Sequence, residues 1–196
     1  MRISGVGIEQ LVQLAHAVVE LDVRSGNAFR PFCFGLVGTL GAGKTRLCQE
    51  IAQAWGIDST EVTSPTFTLL KSYAIASRGD PPTTARQLHH LDLYRVGDED
   101  ELWELGLDEL WEAPGTWTLV EWADRFADCM PADMIWIRIE VADDSIAGNL
   151  SHGGDAAPQP LRTIELHSTD PLRQAWLQDL GSRLGEIGFS GTFERC

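Results

Sequence analysis

The chain is short of positive charge. Lys and Arg number 15 against 29 Asp and Glu, a formal net charge of −14 over 196 residues. Nucleic acids are held largely by Lys and Arg that neutralise phosphates, so this balance argues against direct contact with nucleic acid over the surface as a whole. A local basic patch is compatible with it. Cysteine is sparse as well: Cys33, Cys48, Cys129 and Cys196 form no C-x-x-C pair. Reduced thiols are expected, rather than disulfides or a zinc site. No apolar run approaches the ~18 residues of a membrane helix. The first 20 residues lack a signal-peptide pattern. A cytoplasmic protein with no membrane association is therefore expected. Tyr is nearly absent, with 2 residues against 7 Trp and 7 Phe, which leaves the aromatic mass mainly in apolar rings. There is no internal repeat and no N-K-x-D guanine-reading motif.

What is present is an ordinary globular composition, 43% hydrophobic and 22% charged. The length suits one domain over residues 1–196, with a core of about 8–142, a loop-like insertion at 143–160, and a strand and helix within 161–184. Apolar residues at Ile8, Leu11, Val12, Leu14, Ala15, Val18, Val19 and Leu21 have helical spacing. FCFGLV, 32–37, is a nearly continuous apolar run and suits a strand covered on both faces. KTRLCQEIAQAW, 44–55, reads as a helix stopped by Gly56. Strands are expected over 66–76 and 87–92, joined as a hairpin through the turn-rich SRGDPPTTAR. One acidic helix is expected over 97–113, capped by Asp98 or Asp100 and ended by Pro114 and Gly115. TWTLVE, MIWIRIEVA and LRTIELH read as strands, and 170–184 as a last helix. Helices alternating with apolar strands predict an α/β fold: a mostly parallel sheet with helices on both faces and an antiparallel hairpin at its edge.

The stretch GTLGAGKT, residues 38–45, matches G-x-x-x-x-G-K-[ST] in full, and it lies between an apolar strand and a helix. In that context the glycines let the backbone curl so that N–H groups and the helix N-terminus surround phosphate oxygens. Lys44 would then reach the β- and γ-phosphates, and the Thr45 hydroxyl would bind Mg²⁺. The expectation is a P-loop NTPase fold with ATP and Mg²⁺ as ligands. Such a site needs a carboxylate near the metal. Two expected strands end in one, at Asp92 and at Glu121. One would support the metal and the other the attacking water, and spacing does not say which is which.

With the phosphate loop, SPTFTLL, HLDLYR, LGLDEL and LVEWADR in view, the chain resembles the TsaE family, small bacterial ATPases of tRNA threonylcarbamoyladenosine formation. The matching blocks run from Gly38 to about Arg125, and residues 1–30 fit loosely as the family's leading helix. The resemblance implies a nucleotide site along Gly38, Thr39, Leu40, Gly41, Ala42, Gly43, Lys44, Thr45 and Arg46, with Thr66 of the SPT segment sensing the γ-phosphate and Trp122 beside it. It implies Asp92 as a catalytic carboxylate, Glu121 as the acid that supports Mg²⁺ with Thr45, and Lys44 as the phosphate-binding cation. It also implies a hydrolase that is weak alone and works with the transferase pair TsaD and TsaB, meeting tRNA only through them. Family members often carry an acidic residue where this chain has Thr39. The motif blocks offer no obvious arginine finger for a γ-phosphate, Arg46 and Arg95 being the exceptions to weigh, and an arginine supplied in trans is the familiar P-loop remedy.

Two other functions compete. A small-molecule or nucleotide kinase would need an arginine-rich lid, and between Arg46 and Arg95 there are only Arg78 and Arg86. A nucleotide-controlled switch without useful catalysis would keep ATP binding alone. His89 and His90, adjacent on a strand, should point to opposite faces and read as packing and solvent-facing residues. Trp103 and Trp111 read as core or partner-facing residues, and Met130 and Met134 as packing.

Overall fold

The structure is a computed structural model that describes residues 1–25, 30–58, 60–76, 87–142 and 160–194. The chain opens with a short strand β1, Arg2–Val6, and helix α1, Ile8–Ser25. Strand β2, Phe32–Val37, is buried at every position and leads through the glycine-rich turn into helix α2, Lys44–Ala54. Strand β3, Leu70–Ala74, pairs antiparallel with β4, Gln87–Asp92, as the expected hairpin; its connection, 77–86, lies outside the described residues. Two short helices follow, α3 at Glu99–Trp103 and α4 at Leu107–Glu112. Strand β5, Thr116–Glu121, is again buried throughout, and a 3₁₀ segment, Ala123–Cys129, turns the chain back. Strands β6, Ile135–Val141, and β7, Arg162–His167, helix α5, Pro171–Glu186, and a three-residue strand β8, Thr192–Glu194, complete the fold. The insertion read at 143–160 lies outside the described residues except for Pro160.

All eight strands form one sheet, in the order β3-β4-β5-β2-β6-β7-β1-β8. The four central strands, β4, β5, β2 and β6, are parallel, and both flanks are antiparallel. The α/β expectation therefore holds, with a parallel centre and the hairpin on one side. The antiparallel flank at the other side includes β1 and β8, which sequence reading did not find. Residues 1–30 accordingly contain a strand as well as the leading helix.

Alternation along the central strands builds two cores. Phe32, Phe34 and Leu36 of β2 and Trp117 and Leu119 of β5 face α1, α2 and α5 through Leu11, Leu14, Leu47, Ile51 and Leu180. Cys33, Leu91 and Val120 face the other way and are covered by Leu93, Leu102, Leu107 and Phe126. The sheet is thus covered on both faces, which is why β2 and β5 read as continuous apolar runs rather than as alternation.

Two expected elements are corrected. The strand read over 66–76 begins only at Leu70, because the N–H groups of Thr68 and Leu69 fold back onto the Pro65 carbonyl at 2.9 and 2.6 Å. The single acidic helix over 97–113 is two helices, broken where Gly106 takes a left-handed φ of 68°. Asp98 is the N-cap, accepting from Glu101 N–H at 3.0 Å, while Glu101 reaches back to Gly97 N–H at 2.7 Å.

Candidate active site

The register of the parallel strands decides what meets at the site. Asp92 is level with Glu121, and Glu121 is level with Leu36, one residue before Val37 ends β2. The carboxyl ends of three neighbouring strands therefore deliver Asp92, Glu121 and the glycine-rich turn to one edge of the sheet. This is where open α/β sheets bind ligands.

The turn is built as its glycines demand. Gly41 and Gly43 have φ of 79° and 112°, and a Cβ on Gly38 would sit 2.3 Å from the backbone oxygen of Ile139. Lys44 is buried, with its ammonium donating to the carbonyls of Gly38 at 2.8 Å and Thr39 at 3.0 Å. It also lies 3.7 Å above the centre of the Trp122 ring. Burial pushes the Lys44 pKa below the usual lysine range, and the carboxylates of Glu121, Asp92 and Asp124 oppose that shift. Three acids thus share one nearly dry cation at the start of α2.

Glu121 is 3% exposed and uses both oxygens. Thr45 Oγ1 donates to Oε2 at 2.8 Å, and Oε1 is 2.8 Å from His90 Nε2. Asp92, also 3% exposed, accepts from Ser64 at 3.1 Å and Thr66 at 2.5 Å through Oδ2, and from the Tyr94 N–H at 3.0 Å through Oδ1. Asp92 thereby ties the SPT segment to the end of β4. Trp122 takes a left-handed φ of 61°, donates its N–H to Leu36 O at 2.9 Å, and packs at a tilt against Tyr94 with ring centres 5.0 Å apart. A cleft of about 530 Å³ opens beside the turn, lined by Gly38, Thr39, Trp122, Asp124, Arg138 and Glu140 among others.

Not every residue picked out in the sequence comes to this centre. Arg46 points along its own helix and pairs with Glu50 at 2.6 Å. Arg95 lies over the exposed ring of Phe67 at 4.4 Å. Leu40, at the tip of the turn, is 82% exposed.

Two residues were missed. His89 and His90 were read as one packing and one solvent-facing residue, yet both are buried, and His90 meets Glu121 at the site. The signal was there: positions 90 and 92 share a strand face, so His90 is on the side of Asp92. Arg162 of β7 also reaches the turn, and no motif marks it.

The donor set suits a hard divalent cation. Thr45 and Glu121 already meet oxygen to oxygen, and oxygen ligands from a hydroxyl and a carboxylate are what Mg²⁺ takes. Cys48 lies in the same cluster, with ligand atoms of Cys48, His90 and Glu121 within 4.8 Å of one another. Its thiol is pushed well above the ordinary value by burial and by the charges of Glu121 and Asp92, which keeps it protonated and disfavours it as a ligand.

A strand, a glycine-rich turn, a helix beginning Lys-Thr and a carboxylate on the neighbouring parallel strand define a P-loop fold. The family model for the threonylcarbamoyl adenosine biosynthesis protein TsaE matches residues 7–148. The chain belongs to the TsaE family. It is 36% identical over 109 residues to the tRNA threonylcarbamoyladenosine biosynthesis protein TsaE of Rickettsia bellii, covering 56% of this chain and 69% of that one. It is 41% identical over 109 residues to the protein of the same name from Bacillus subtilis, covering 56% and 61% of the two chains. The crystal structure of Bacillus subtilis YdiB superposes with a TM-score of 0.61 over 93% of this chain and 94% of that one, at 24% identity, and shares its fold. Among the described residues no helix is long and apolar enough to cross a membrane.

Proposed function

We propose that this protein is a Mg²⁺-dependent ATP hydrolase of tRNA threonylcarbamoyladenosine biosynthesis, acting in the cytoplasm with the transferase pair TsaD and TsaB. The observation that carries this reading is the Thr45–Glu121 contact beside the buried Lys44, at the carboxyl ends of adjacent parallel strands.

ATP and water give ADP and inorganic phosphate. Lys44 is the cation for the β- and γ-phosphates, exchanging the carbonyls of Gly38 and Thr39 for phosphate oxygens. Thr45 and Glu121 would hold Mg²⁺, which when bound neutralises phosphate charge. His90 keeps Glu121 turned toward Thr45. Asp92 orients the attacking water and accepts its proton, and Thr66, bonded to Asp92, makes the SPT segment responsive to the γ-phosphate. Trp122 closes one side of the phosphate-binding lysine. Arg46 and Arg95 are engaged with Glu50 and Phe67, and a transition-state arginine supplied by a partner would make turnover slow in its absence. The acidic surface agrees with tRNA being held by the partners.

The test is the ATP hydrolysis rate of the purified chain with Mg²⁺, alone and with TsaD, TsaB and tRNA. A slow rate that rises on addition supports the reading. A rate indifferent to those proteins removes the partner-dependent part, and no hydrolysis in either case removes the enzyme.

A further inference from the structure

Arg162 opens β7. Its side chain is 7% exposed. Its Nε donates to the Ala42 carbonyl at 2.8 Å, and a terminal nitrogen donates to Pro160 O at 2.8 Å. A Cβ added to Gly43 would lie 3.2 Å from that Nε, so the guanidinium packs directly against the turn. Among the described residues Arg162 has no ion pair with a carboxylate. Its acceptors among the described residues are carbonyls, one of them in the turn itself, so the guanidinium fixes the backbone of the turn.

The geometry points to Arg162 as a positioning residue of the phosphate loop, an inference that rests on the nucleotide-binding reading above. In a trans peptide the C=O and the next N–H point in opposite directions. Drawing the Ala42 oxygen toward β7 turns the Gly43 N–H to the other side, into the curl of the turn. Lys44 takes the carbonyls of Gly38 and Thr39 in the same way. Arg162 keeps the Ala42 oxygen when a polyphosphate enters, whereas Lys44 gives up its two carbonyls to meet it, so N–H groups and positive charge face the ligand. Gly43 is a glycine for two reasons, its φ of 112° and the guanidinium behind it. The ligand recognised through Arg162 is the diphosphate of a nucleotide, not its base.

The test is calorimetric binding of ADP and of adenosine to wild type, Arg162→Gln and Arg162→Lys, with melting temperatures measured without nucleotide. ADP affinity is expected to fall about ten-fold or more in Arg162→Gln, in the range lost when an outer-shell partner is removed. Arg162→Lys should recover part of it, and adenosine binding should not change. Folded variants that bind ADP as wild type does, with only the melting temperature lowered, would overturn the inference. Should both variants fail to fold, the labelled wild-type chain decides it: the Arg162 Nε–H resonance shifts on saturation with ADP if the inference holds, and stays in place if it fails. A wild type that binds no ADP refutes the nucleotide reading itself, and this inference with it.

Discussion

Glu121 receives a hydroxyl from α2 and an imidazole from β4, and it is too buried to find water instead. Asp92 receives two hydroxyls and a backbone N–H. The two carboxylates are held by different partners, and the roles proposed for them differ accordingly. Glu121→Ala is expected to raise the Mg²⁺ concentration needed for half-maximal hydrolysis, because Thr45 loses the oxygen it meets. Unchanged Mg²⁺-dependent activity in that variant would move the metal role to Asp92. Asp92→Asn is expected to keep ATP binding and lose about 10²- to 10⁴-fold in turnover, the usual contribution of a positioned acid–base group. Retained turnover would refute the assignment. Lys44→Ala should abolish nucleotide binding in the same assay, and binding at wild-type affinity would remove Lys44 from the phosphate site.

At the scale of the element, the phosphate turn depends on backbone shape before any side chain acts. Gly38 abuts the Ile139 carbonyl of the neighbouring β6, a backbone atom that cannot swing away. Gly38→Ala is expected to cost roughly 2 kcal/mol or more by crowding and backbone strain. ADP binding should weaken in the molecules that remain folded. Chemical denaturation and ADP titration of the same variant check both, and wild-type values for either would show that the turn shifts without penalty. Other elements follow more local rules. The break between α3 and α4 comes from Gly106, and α5 begins where Asp170 accepts from Arg173 N–H at 2.9 Å. Gly106 stood in plain sight in LGLDEL, but helical periodicity runs across it unless its left-handed conformation is known. The three-residue β8 is too short to carry a pattern and RISGV of β1 has only two apolar side chains, so the flank of the sheet is what makes them strands.

Across the whole molecule, the sheet buries charge away from the site as well. Asp22 on α1 is 5% exposed and accepts from the Trp117 indole at 3.3 Å. Desolvation raises its pKa to about 6, against the Trp117 hydrogen bond and the Arg173 charge that pull it down. Its folded pKa lies above its unfolded one, so the folded chain binds more protons between the two. Stability therefore falls as pH rises from about 4 to about 6, and levels off above. Asp22→Asn should remove this dependence. Its stability relative to wild type should rise by up to roughly 3 kcal/mol between pH 4 and pH 7.5, a shift of about two pKa units. Urea unfolding at both pH values measures it, and parallel curves would refute it.

The α/β class, the phosphate turn and the two strand-end carboxylates could be read from residues near one another in the chain, because periodicity, glycine conformation and the Lys-Thr helix start are local properties. The same holds for the blocks that carry the family likeness. Which side chains meet could not be read that way. His90 joining Glu121 and Arg162 reaching Ala42 across 120 positions depend on strand order, register and burial. Those are settled only when eight strands compete for places in one sheet, where the cost of leaving a buried charge unmatched selects partners that lie far apart in the sequence.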